Sequence, residues 1–557
     1  VLPEKRVSVK QFYGIDLNPF AVELARVTLM IAKKIAADEG HSGEPALPLD
    51  NLDANIICAD ALFTEWANFD ACVGNPPYLG AKLMKPALGA EYVERLRAAF
   101  PTVDGNADYA VYWLNKAHNL MKPGTRTGLV ATNSIRQNKS RESGLDIIVR
   151  EGGTIFEAYS SVPWTGEAKV HVSIVCWSKG ESPFATQKLY VNDRLTFIEV
   201  PLINSGLSPE LDVTKARVLS CNTEPQRVFQ GQTPGHDGFV LKPAEATAFI
   251  RKDQTNREVI FPYLTGDDLL GAPNGKPRRY IIDFGVRDIL DAQRYRAPFE
   301  RVEAAVLPDK QAKADEEARK NRDLLAKNPR AKGNRDHEAA LKQWWLHFRS
   351  RQERRNAVQG MARYIACSRV TKRPIFDFVS SAICPSDALQ TFAFDDDYTF
   401  GILQSNAHGL WFKVKASSLK SDPRYTPSSV FNTFPFPQAP TQEQVKRVAD
   451  AGRTLHEFRH ERMSRDGQLT LRDLYAKIDK SGTHPLKDLH AALDQAVMAA
   501  YGFASETSLL AGLLALNGQV TKRMASSLPV TAPGIPGNYP NPQELISSGC
   551  IQPHTLI

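Results

Sequence analysis

The chain has 557 residues, more than one hydrophobic core normally holds, so its length predicts several domains, roughly two to four. Hydrophobic residues make up 42% and charged residues 24%, which excludes wholesale disorder, and no apolar run has the roughly 18 residues needed to cross a bilayer. The net charge of +7 favours a polyanionic partner without identifying one.

The seven cysteines are scattered, without a Cys-x-x-Cys pair or a nearby Cys/His quartet. This spacing predicts reduced thiols, no disulfide framework and no metal site. The first residues lack the charged start and apolar stretch of a signal peptide, so the expected location is the cytoplasm. The chain opens at Val1 and passes almost at once into a strand-like segment, so we expect a domain that is entered partway through.

The first predicted elements are a strand and a helix. Residues 7–15 are rich in β-branched and aromatic side chains, which favours a strand, and Asp16 follows directly. Asn18 and Pro19 are typical of a helix start, and apolar residues continue from there at helical spacing. The sequence therefore predicts strand, acidic turn and helix in succession.

The same pattern recurs along the chain. A short apolar run over 54–59 ends in Asp60, and a further run over 69–74 ends at Asn75. A helical stretch over 109–121 then leads into another strand over 127–132. Alternating strands and helices predict an α/β fold with a doubly wound, mostly parallel sheet, whose ligand sites lie beyond the carboxyl ends of the strands.

Two carboxylates occupy such ends and suggest a nucleoside cofactor. Asp16, with Leu17 beside it, is placed to accept hydrogen bonds from both ribose hydroxyls. Asp60 could accept from the exocyclic amine of the cofactor's adenine, while Ala61 or Leu62 packs on the ring. The alternative is that each aspartate is a helix cap or a turn former.

The run Asn75-Pro76-Pro77-Tyr78, called here the NPPY loop, is a more specific signal. Consecutive prolines fix the backbone and remove two donors. The Asn75 side-chain oxygen and the Pro76 carbonyl could then hold both N–H groups of a planar amine and draw its nitrogen toward tetrahedral geometry for attack on a sulfonium methyl group. Tyr78 would stack on the base. The alternative is a surface turn after a strand.

A second aromatic ring is expected to close this pocket. Residues 161–175 predict a turn followed by a strand with one buried face, and Trp164 lies in the turn. Trp164 is therefore a candidate stacking residue, with core packing as the alternative. His171 is interpreted as an ordinary strand residue.

Longer strings resemble the gamma-class adenine-N6 DNA methyltransferases, and within them the MmeI-like enzymes of restriction-modification systems. The strings that carry the resemblance are Gly14-Ile-Asp16-Leu-Asn-Pro-Phe20, Ala59-Asp60-Ala-Leu62, Val73-Gly-Asn75-Pro-Pro-Tyr78, Val170-His-Val-Ser-Ile-Val175, Phe261-Pro-Tyr-Leu-Thr-Gly266-Asp-Asp268, Phe400-Gly-Ile-Leu-Gln-Ser405, Leu419-Lys-Ser-Asp-Pro-Arg424 and Ser429-Val-Phe-Asn432-Thr-Phe-Pro-Phe-Pro437. The first four fall in the predicted catalytic domain, and the others mark the start and end of a target-recognition region.

The resemblance implies methyl transfer from S-adenosyl-L-methionine to adenine N6 in double-stranded DNA, after the base is rotated out of the duplex. One feature departs from the family, which places a glycine-rich cofactor loop ahead of the segment that begins here at Val7; no such loop precedes Asp16 in this sequence. The family also carries helices and a nuclease upstream, so an upstream nuclease domain or a partner subunit is expected.

The remaining sequence predicts three further regions after a partial catalytic domain at 1–200. A mixed α+β target-recognition domain is expected over 201–440, helices over 441–525, and an extended, proline-bearing or mobile tail over 526–557. The charged stretch over 309–355 is interpreted mainly as a solvated helical hairpin, with some phosphate contacts.

A dense run of basic residues lies in the middle of the recognition region. Each arginine there could bind guanine or phosphate, and the sequence does not separate the two. The predicted DNA contacts are Arg363, Arg369, Lys372 and Arg373, within a base-reading stretch that runs to Gln390.

Two other functions fit parts of the pattern. Asn-Pro-Pro-Tyr also occurs in enzymes that methylate protein glutamine, because that amide presents the same planar nitrogen. Such enzymes are usually short, which leaves 200–440 without a task. Alternatively, without the glycine-rich loop the chain would be a catalytically silent DNA-binding module.

Overall fold

The computed structural model describes residues 7–39, 50–164, 171–182, 184–191, 196–208, 213, 216–327, 333–419, 422–478, 482–503 and 508–553. The chain divides into two compact units, Val1–Thr214 and Lys215–Ile557. The second unit thus takes in the predicted helical and tail segments and the predicted recognition segment from residue 215 onward. Among the helices in these ranges, none combines the length and the apolar character needed to cross a membrane.

The first unit alternates strands and helices in the order that the sequence predicts. Its strands are β1 (Gly14–Asp16), β2 (Ile56–Cys58), β3 (Ala71–Gly74), β4 (Arg126–Thr132), β5 (Gly153–Pro163), β6 (His171–Lys179), β7 (Gln187–Tyr190) and β8 (Phe197–Val200). Its helices are α1 (Pro19–Asp38), α2 (Ala81–Leu88), α3 (Ala90–Ala99), α4 (Val111–Leu120), α5 (Asn138–Ser143) and α6 (Leu145–Arg150).

The strands form two sheets instead of one. Strands β1 and β2 form a parallel pair, and the other six follow the order β3-β4-β6-β5-β7-β8. Within the described ranges, no ladder of hydrogen bonds joins β1 to β3. The six-stranded sheet is mixed: β3 and β4 are parallel, whereas β6 is antiparallel to β4 and β5. The connection from β5 to β6 is too short for the crossover that a parallel pair requires.

The first predicted strand is shorter than the pattern suggested. Val9–Gln11 form a 3-10 turn that Ser8 caps, and only Gly14–Asp16 pair as a strand. Asn18 caps α1 by accepting from the backbone N–H of Phe20, and Pro19 occupies its first turn. The helix start is thus as predicted, while β-branched residues upstream of Gly14 have no partner strand to extend the ladder.

Helix α1 presents an apolar stripe to solvent. Its buried residues are Val22 and Lys33, whereas five large apolar residues are at least half exposed. These exposed residues are Phe20, Leu24, Val27, Ile31 and Ile35. The core of the unit instead lies between α3, α4 and the six-stranded sheet, where Val93, Leu114 and Trp177 are fully buried.

The second unit begins with mixed elements and ends in helices. Its strands are β9 (Val228–Gln230), β10 (Val240–Leu241), β11 (Ile260–Leu264), β12 (Arg279–Ile282), β13 (Arg363–Ser368), β14 (Phe376–Ser380), β15 (Cys384–Pro385), β16 (Leu389–Phe392), β17 (Ser417–Leu419) and β18 (Asp422–Arg424). Its helices are α7 (Ser220–Thr223), α8 (Pro243–Lys252), α9 (Gly266–Gly271), α10 (Ile289–Gln293), α11 (Arg296–Lys327), α12 (Asp336–Lys342), α13 (Gln352–Ala357), α14 (Asp397–Gln404), α15 (Asn406–Lys415), α16 (Gln442–Arg465), α17 (Leu471–Ile478), α18 (Pro485–Tyr501) and α19 (Leu509–Ala525).

Two four-stranded sheets carry this unit, in the orders β10-β12-β11-β15 and β14-β13-β16-β9. Helix α14 packs on α16, and α16 packs on α18. Within the described residues, the tail contacts this unit at Ile551, which forms a parallel bridge with Val379 of β14 and is 2% exposed. The sheet that contains β14 therefore gains a pairing segment at its edge from the far end of the chain.

Candidate functional site

The carboxyl ends of β1 and β2 bring the two predicted carboxylates to one edge. Asp16 ends β1, and its backbone carbonyl accepts from Ala59 N, just before Asp60, at 2.9 Å. The Asp16 side chain is exposed, and its Oδ1 accepts from Asn18 N at 2.7 Å. Asp16 is therefore a turn former, as the alternative held, and no described donor holds its Oδ2. That oxygen is open to a ligand.

Asp60 is half-buried and more fully engaged. Its Oδ1 accepts from Leu62 N at 2.9 Å, and its Oδ2 accepts from the Tyr92 hydroxyl at 2.8 Å. The Tyr109 hydroxyl in turn lies 2.7 Å from that of Tyr92. Burial, followed by the contacts with Tyr109 and Asp60, raises the pKa of Tyr92 well above its ordinary value, so its hydroxyl stays a donor. Asp60 is held in orientation by this chain of hydroxyls.

The residues beside the two carboxylates differ in exposure. Leu17 is 66% exposed, which leaves its side chain available for contact with a ligand. The Ala61 carbonyl accepts from Trp66 Nε1 at 2.7 Å and from Lys116 Nζ at 2.9 Å. Burial lowers the pKa of Lys116, whose ammonium also donates to the Leu62 carbonyl. The backbone after β2 is therefore firmly fixed.

The NPPY loop follows β3 at the corresponding end of the six-stranded sheet. The Tyr78 hydroxyl donates to Asn75 Oδ1 at 2.5 Å, which fixes the carboxamide plane. Burial raises the pKa of Tyr78, although the contact with Asn75 lowers it, so this hydroxyl remains protonated. No described group donates a hydrogen bond to the Pro76 carbonyl. The loop thus presents two acceptors. Asn75 Oδ1 already accepts from Tyr78, whereas the Pro76 carbonyl has no described donor.

Trp164 is adjacent to Tyr78, as expected if the two rings contact the same base. The two rings meet edge to face, with centroids 6.2 Å apart and planes at 87°. A base between two parallel rings would need one ring to turn. His171 is an exposed residue of β6 whose Nδ1 lies 3.3 Å from Ser161 Oγ. Residues 165–170 of the predicted turn and strand lie outside the described residues.

A buried aspartate that the sequence analysis did not single out fixes the surroundings of the loop. Asp108 is 7% exposed, and its Oδ2 accepts from Thr132 Oγ1 at 3.0 Å and from Ser134 Oγ at 2.8 Å. The next residue, Tyr109, donates its backbone N–H to the Leu79 carbonyl at 2.9 Å. The start of α4 therefore ties the loop after β3 to the end of β4.

The predicted DNA contacts in the second unit fall into different environments. Arg363 is 2% exposed, forms an ion pair with Asp397 at 2.8 Å and donates to the Gly549 carbonyl at 2.6 Å. Its guanidinium also lies 3.4 Å from the centroid of the Phe378 ring. Every part of this side chain is used within the core. Arg363 is thus a core ion pair in this structure, contrary to the predicted role as a DNA contact.

Arg369, Lys372 and Arg373 lie at the surface or close to it. Lys372 and Arg373 are exposed, and Arg369 donates from Nη1 to the Asp387 carbonyl at 2.7 Å. Burial, followed by repulsion from Arg424, lowers the pKa of Arg369 to about 10. Arg351 adds to this repulsion. Three guanidinium groups therefore share one partly buried region, and Arg424, which the sequence analysis cited only for resemblance, belongs to it.

Asp377, His456 and His460 form the one group among the described residues whose ligand atoms could converge on a metal ion. His456 Nε2 and His460 Nε2 lie 2.9 and 3.0 Å from Asp377 Oδ1, while the Arg459 guanidinium lies 4.0 Å from the same oxygen. A metal on His456 Nε2 would also leave its buried Nδ1–H without an acceptor. The arrangement fits a structural hydrogen-bond cluster better than a metal centre.

Family comparison covers both units. Residues 2–191 match the profile described as the MmeI DNA-methyltransferase domain, and residues 213–438 match the MmeI target recognition domain. The chain belongs to the MmeI family. The resemblance noted in the sequence is thereby confirmed, and the boundary between the two matched segments falls where the chain divides into two units.

Two known proteins are similar to this chain over most of its length. DNA methyltransferase A of Bacillus subtilis (strain 168) is 26% identical over 554 residues, which cover 93% of this chain and 57% of that protein. The solved structure of the type IIL restriction-modification enzyme MmeI in complex with DNA superposes with a TM-score of 0.70 at 20% identity, covering 93% of this chain and 67% of that chain. The predicted α/β fold with a recognition domain is confirmed, and the chain spans little more than half the length of the Bacillus subtilis relative.

Proposed function

We propose that this chain is the modification and recognition part of a DNA methyltransferase that transfers a methyl group from S-adenosyl-L-methionine to adenine N6, within a restriction-modification or related phage-defence system. The observation that carries the proposal is the NPPY loop at the carboxyl end of β3, with Asn75 Oδ1 oriented by Tyr78 and the Pro76 carbonyl open. Family membership supports the same reaction class.

The carboxyl ends of β1 and β2 fit the adenosine half of the cofactor. Asp16 Oδ2 is an exposed acceptor suited to ribose hydroxyls, and Asp60 is fixed by Tyr92 with lone pairs left for an exocyclic amine. Leu17 and Ala61 flank these carboxylates. S-adenosyl-L-methionine, when bound, supplies an electrophilic methyl group on a sulfonium centre.

The NPPY loop prepares the nucleophile. The exocyclic nitrogen of adenine is a poor nucleophile because its lone pair is delocalised into the ring. Asn75 Oδ1 and the Pro76 carbonyl would accept its two N–H groups and favour tetrahedral geometry at nitrogen. Tyr78 and Trp164 would then contact the faces of the base, after Tyr78 releases its hydrogen bond to Asn75.

The recognition surface is proposed to include Arg369, Lys372 and Arg373, together with Arg351 and Arg424. Repulsion within the group of arginines is relieved when a phosphate or a guanine edge binds among them. Arg363 is left out because its charge is already paired with Asp397 inside the core. Salt-dependent affinity for duplex DNA follows from this arrangement.

A labelled-cofactor assay tests the proposal. The purified chain is incubated with tritiated S-adenosyl-L-methionine and mixed-sequence duplex DNA, beside Asn75→Ala and the exposed control Asn51→Ala. We expect label in the adenine of DNA for the parent and the control, and a loss of about 100-fold or more for Asn75→Ala, because an acceptor that acts in the transition state is removed. DNA binding by Asn75→Ala should be unchanged.

Three other outcomes would contradict this reading. Label found in protein would indicate glutamine methylation, and equal label from parent and Asn75→Ala would remove the loop from the reaction. No label with intact, salt-dependent DNA binding would favour a silent DNA-binding module, for which the separation of β1 from β3 is the supporting observation.

An Arg369→Gln variant measures the recognition surface separately, with an expected decrease of about one in the salt slope of DNA affinity for a phosphate contact.

A further inference from the structure

The second unit contains a half-open cavity beside α13, the helix that Arg351 caps. It has a volume of about 290 Å³ and lies between α13, β11 and the turn that follows β14. Its polar walls come from Arg354, Arg355, Gln232, Ser381 and Cys384. Aspartate and glutamate are absent from the residues that line it.

One of the two arginines in the cavity already has its counter-ion. Arg355 forms a close ion pair with Asp283 Oδ2. The Gln232 amide donates to the same carboxylate at 2.8 Å, and Gly285 N donates to its other oxygen at 2.8 Å. These contacts occupy both oxygens of Asp283, so this carboxylate is committed to Arg355 and its neighbours.

Arg354 has no such partner. The residue is 5% exposed, and its Nε and Nη1 have no hydrogen-bond partner among the residues that the structure describes. The neighbouring Glu353 is paired instead with Arg351, at 3.7 Å. The nearest compensation for the charge is the Tyr364 ring, whose centroid lies 5.5 Å from the guanidinium carbon. A buried cation without a counter-ion is destabilising, and such charges are normally paired.

The Cys384 thiol does not fill this role. Burial raises its pKa to about 11, although Arg354 and Arg355 lower it, so the thiol is neutral near pH 7. Its sulfur is in close contact with the Gln232 side-chain oxygen. The cavity therefore carries one net positive charge at its wall and space for an anion.

We propose that this cavity binds a phosphate group against Arg354. A guanidinium matches the oxygens of phosphate through paired N–H donors, and the neighbouring Arg355 is already paired with Asp283, which leaves Arg354 as the cation available to an anion. The apolar lining from Phe261 and Val358 suits a sugar or another carbon skeleton attached to that phosphate. The phosphate belongs either to the DNA backbone, as a diester, or to a free phosphorylated molecule, as a monoester, and both present terminal oxygens that accept from a guanidinium.

The test uses inorganic phosphate as the probe and the whole chain as the protein. Binding is measured by calorimetry and by the thermal unfolding midpoint, with chloride at matched ionic strength as the reference. We expect saturable binding and a rising midpoint for the parent and for the exposed control Arg349→Met. Arg354→Met should lose at least tenfold in phosphate affinity while its midpoint without phosphate is equal to or above that of the parent, because an unpaired buried charge has been removed.

Met361→Glu provides an independent variant in case Arg354→Met fails to fold. Met361 lines the cavity, and a carboxylate at this position would pair with Arg354 and exclude phosphate. We expect a folded protein without a phosphate response. A parent midpoint that responds to phosphate no more than to chloride would overturn the proposal, as would full phosphate affinity in both variants.

DNA titrations distinguish the source of the phosphate. If the backbone of DNA supplies it, Arg354→Met weakens DNA binding, the salt slope falls by about one, and inorganic phosphate competes with DNA. If a free molecule supplies it, DNA binding is the same in parent and variant while phosphate affinity falls. Both results support the cavity as a phosphate site, and neither depends on methyl transfer by Asn75.

Discussion

Two long helices in different units are alike in sequence pattern and opposite in packing. Helix α1 has 20 residues and α16 has 24, and both carry apolar residues at helical spacing. Two residues of α1 are buried, whereas α16 buries eight, including His456 and Arg459. A periodic pattern thus indicates that a helix has an apolar face, but the presence of a partner for that face depends on the tertiary fold.

The polar residues of α16 sharpen the difference. Arg459 is fully buried and donates to the Phe376 carbonyl at 2.9 Å and to the Tyr475 hydroxyl at 3.1 Å. Burial alone would raise the pKa of Asp377, but the contacts with His460 and His456 hold it well below its usual range. Helix α16 is therefore attached to β14 through buried charges, while the buried cation of α1, Lys33, pairs with Asp50 at 2.6 Å.

The largest effect is expected from removing the carboxylate beneath α16. Asp377→Ala would leave Arg459 buried without its nearest anion, so we expect a loss of about 3–5 kcal/mol in the free energy of unfolding. The matched change Asp38→Ala at the end of α1 should cost less than about 0.5 kcal/mol, because both Asp38 and its partner Lys34 are exposed. Unfolding is induced by urea and monitored by hydrogen exchange. Peptides from α1 report the free energy of unfolding of the first unit, and peptides from β13 report that of the second. A loss under about 1 kcal/mol for Asp377→Ala would contradict the expected difference between α16 and α1.

Acidification should act next most strongly, and again around α16. Burial lowers the pKa of His456 and of His490 on α18 to about 4, below the ordinary value near 6.5. Because the fold favours the neutral rings, their contribution is complete above about pH 6.5 and is lost as the pH falls toward about 4. We expect a decrease of at most about 3 kcal/mol for each of the two rings across this window.

Helix α1 contains no histidine and provides the internal reference for that experiment. Hydrogen exchange of α16 and α18 peptides should accelerate between pH values of about 6.5 and 4, after correction for the intrinsic pH dependence of exchange. Exchange of α1 peptides, corrected in the same way, should change little. Equal acceleration in both helices would show that protonation elsewhere contributes, for example at His118 of the first unit, whose pKa burial also lowers to about 4.

The smallest effect is expected on the apolar stripe of α1. Leu24 is 53% exposed, so Leu24→Gln should change the free energy of unfolding by no more than about 0.5 kcal/mol. Leu455→Gln in α16 is the matched change at a fully buried position and should cost at least about 2 kcal/mol. A loss of that size for Leu24→Gln as well would show that the stripe of α1 is covered in solution.

The sequence was sufficient for features that are local along the chain. The cap at Asn18, the turn at Asp16 and the loop after β3 each depend on residues within a few positions, and each occurs where it was predicted. The division of the strands into two sheets was not predicted, because the pairing of β3 with β4 joins segments more than 50 residues apart and leaves β1 paired only with β2.

Arg363 illustrates the same limit at the level of one side chain. Its place in a dense basic run suggested DNA, yet its partners Asp397 and Gly549 lie 34 and 186 residues further along the chain. The available signal was the continuous apolar run that follows it in β13, which is typical of a strand buried on both faces. The roles of Asp108 and Tyr92 were not predicted for a similar reason, since their hydrogen-bond partners come from other elements.

The hydrogen bond between Tyr78 and Asn75 determines how the NPPY loop meets an incoming donor. While the phenol is in place, the carboxamide oxygen has a donor that favours one orientation of the amide. If the loop acts as proposed, an incoming amine replaces the phenol as the donor, and the phenol turns to water. The acceptor would then be oriented before the amine arrives, which lowers the reorganisation that a freely rotating amide would require.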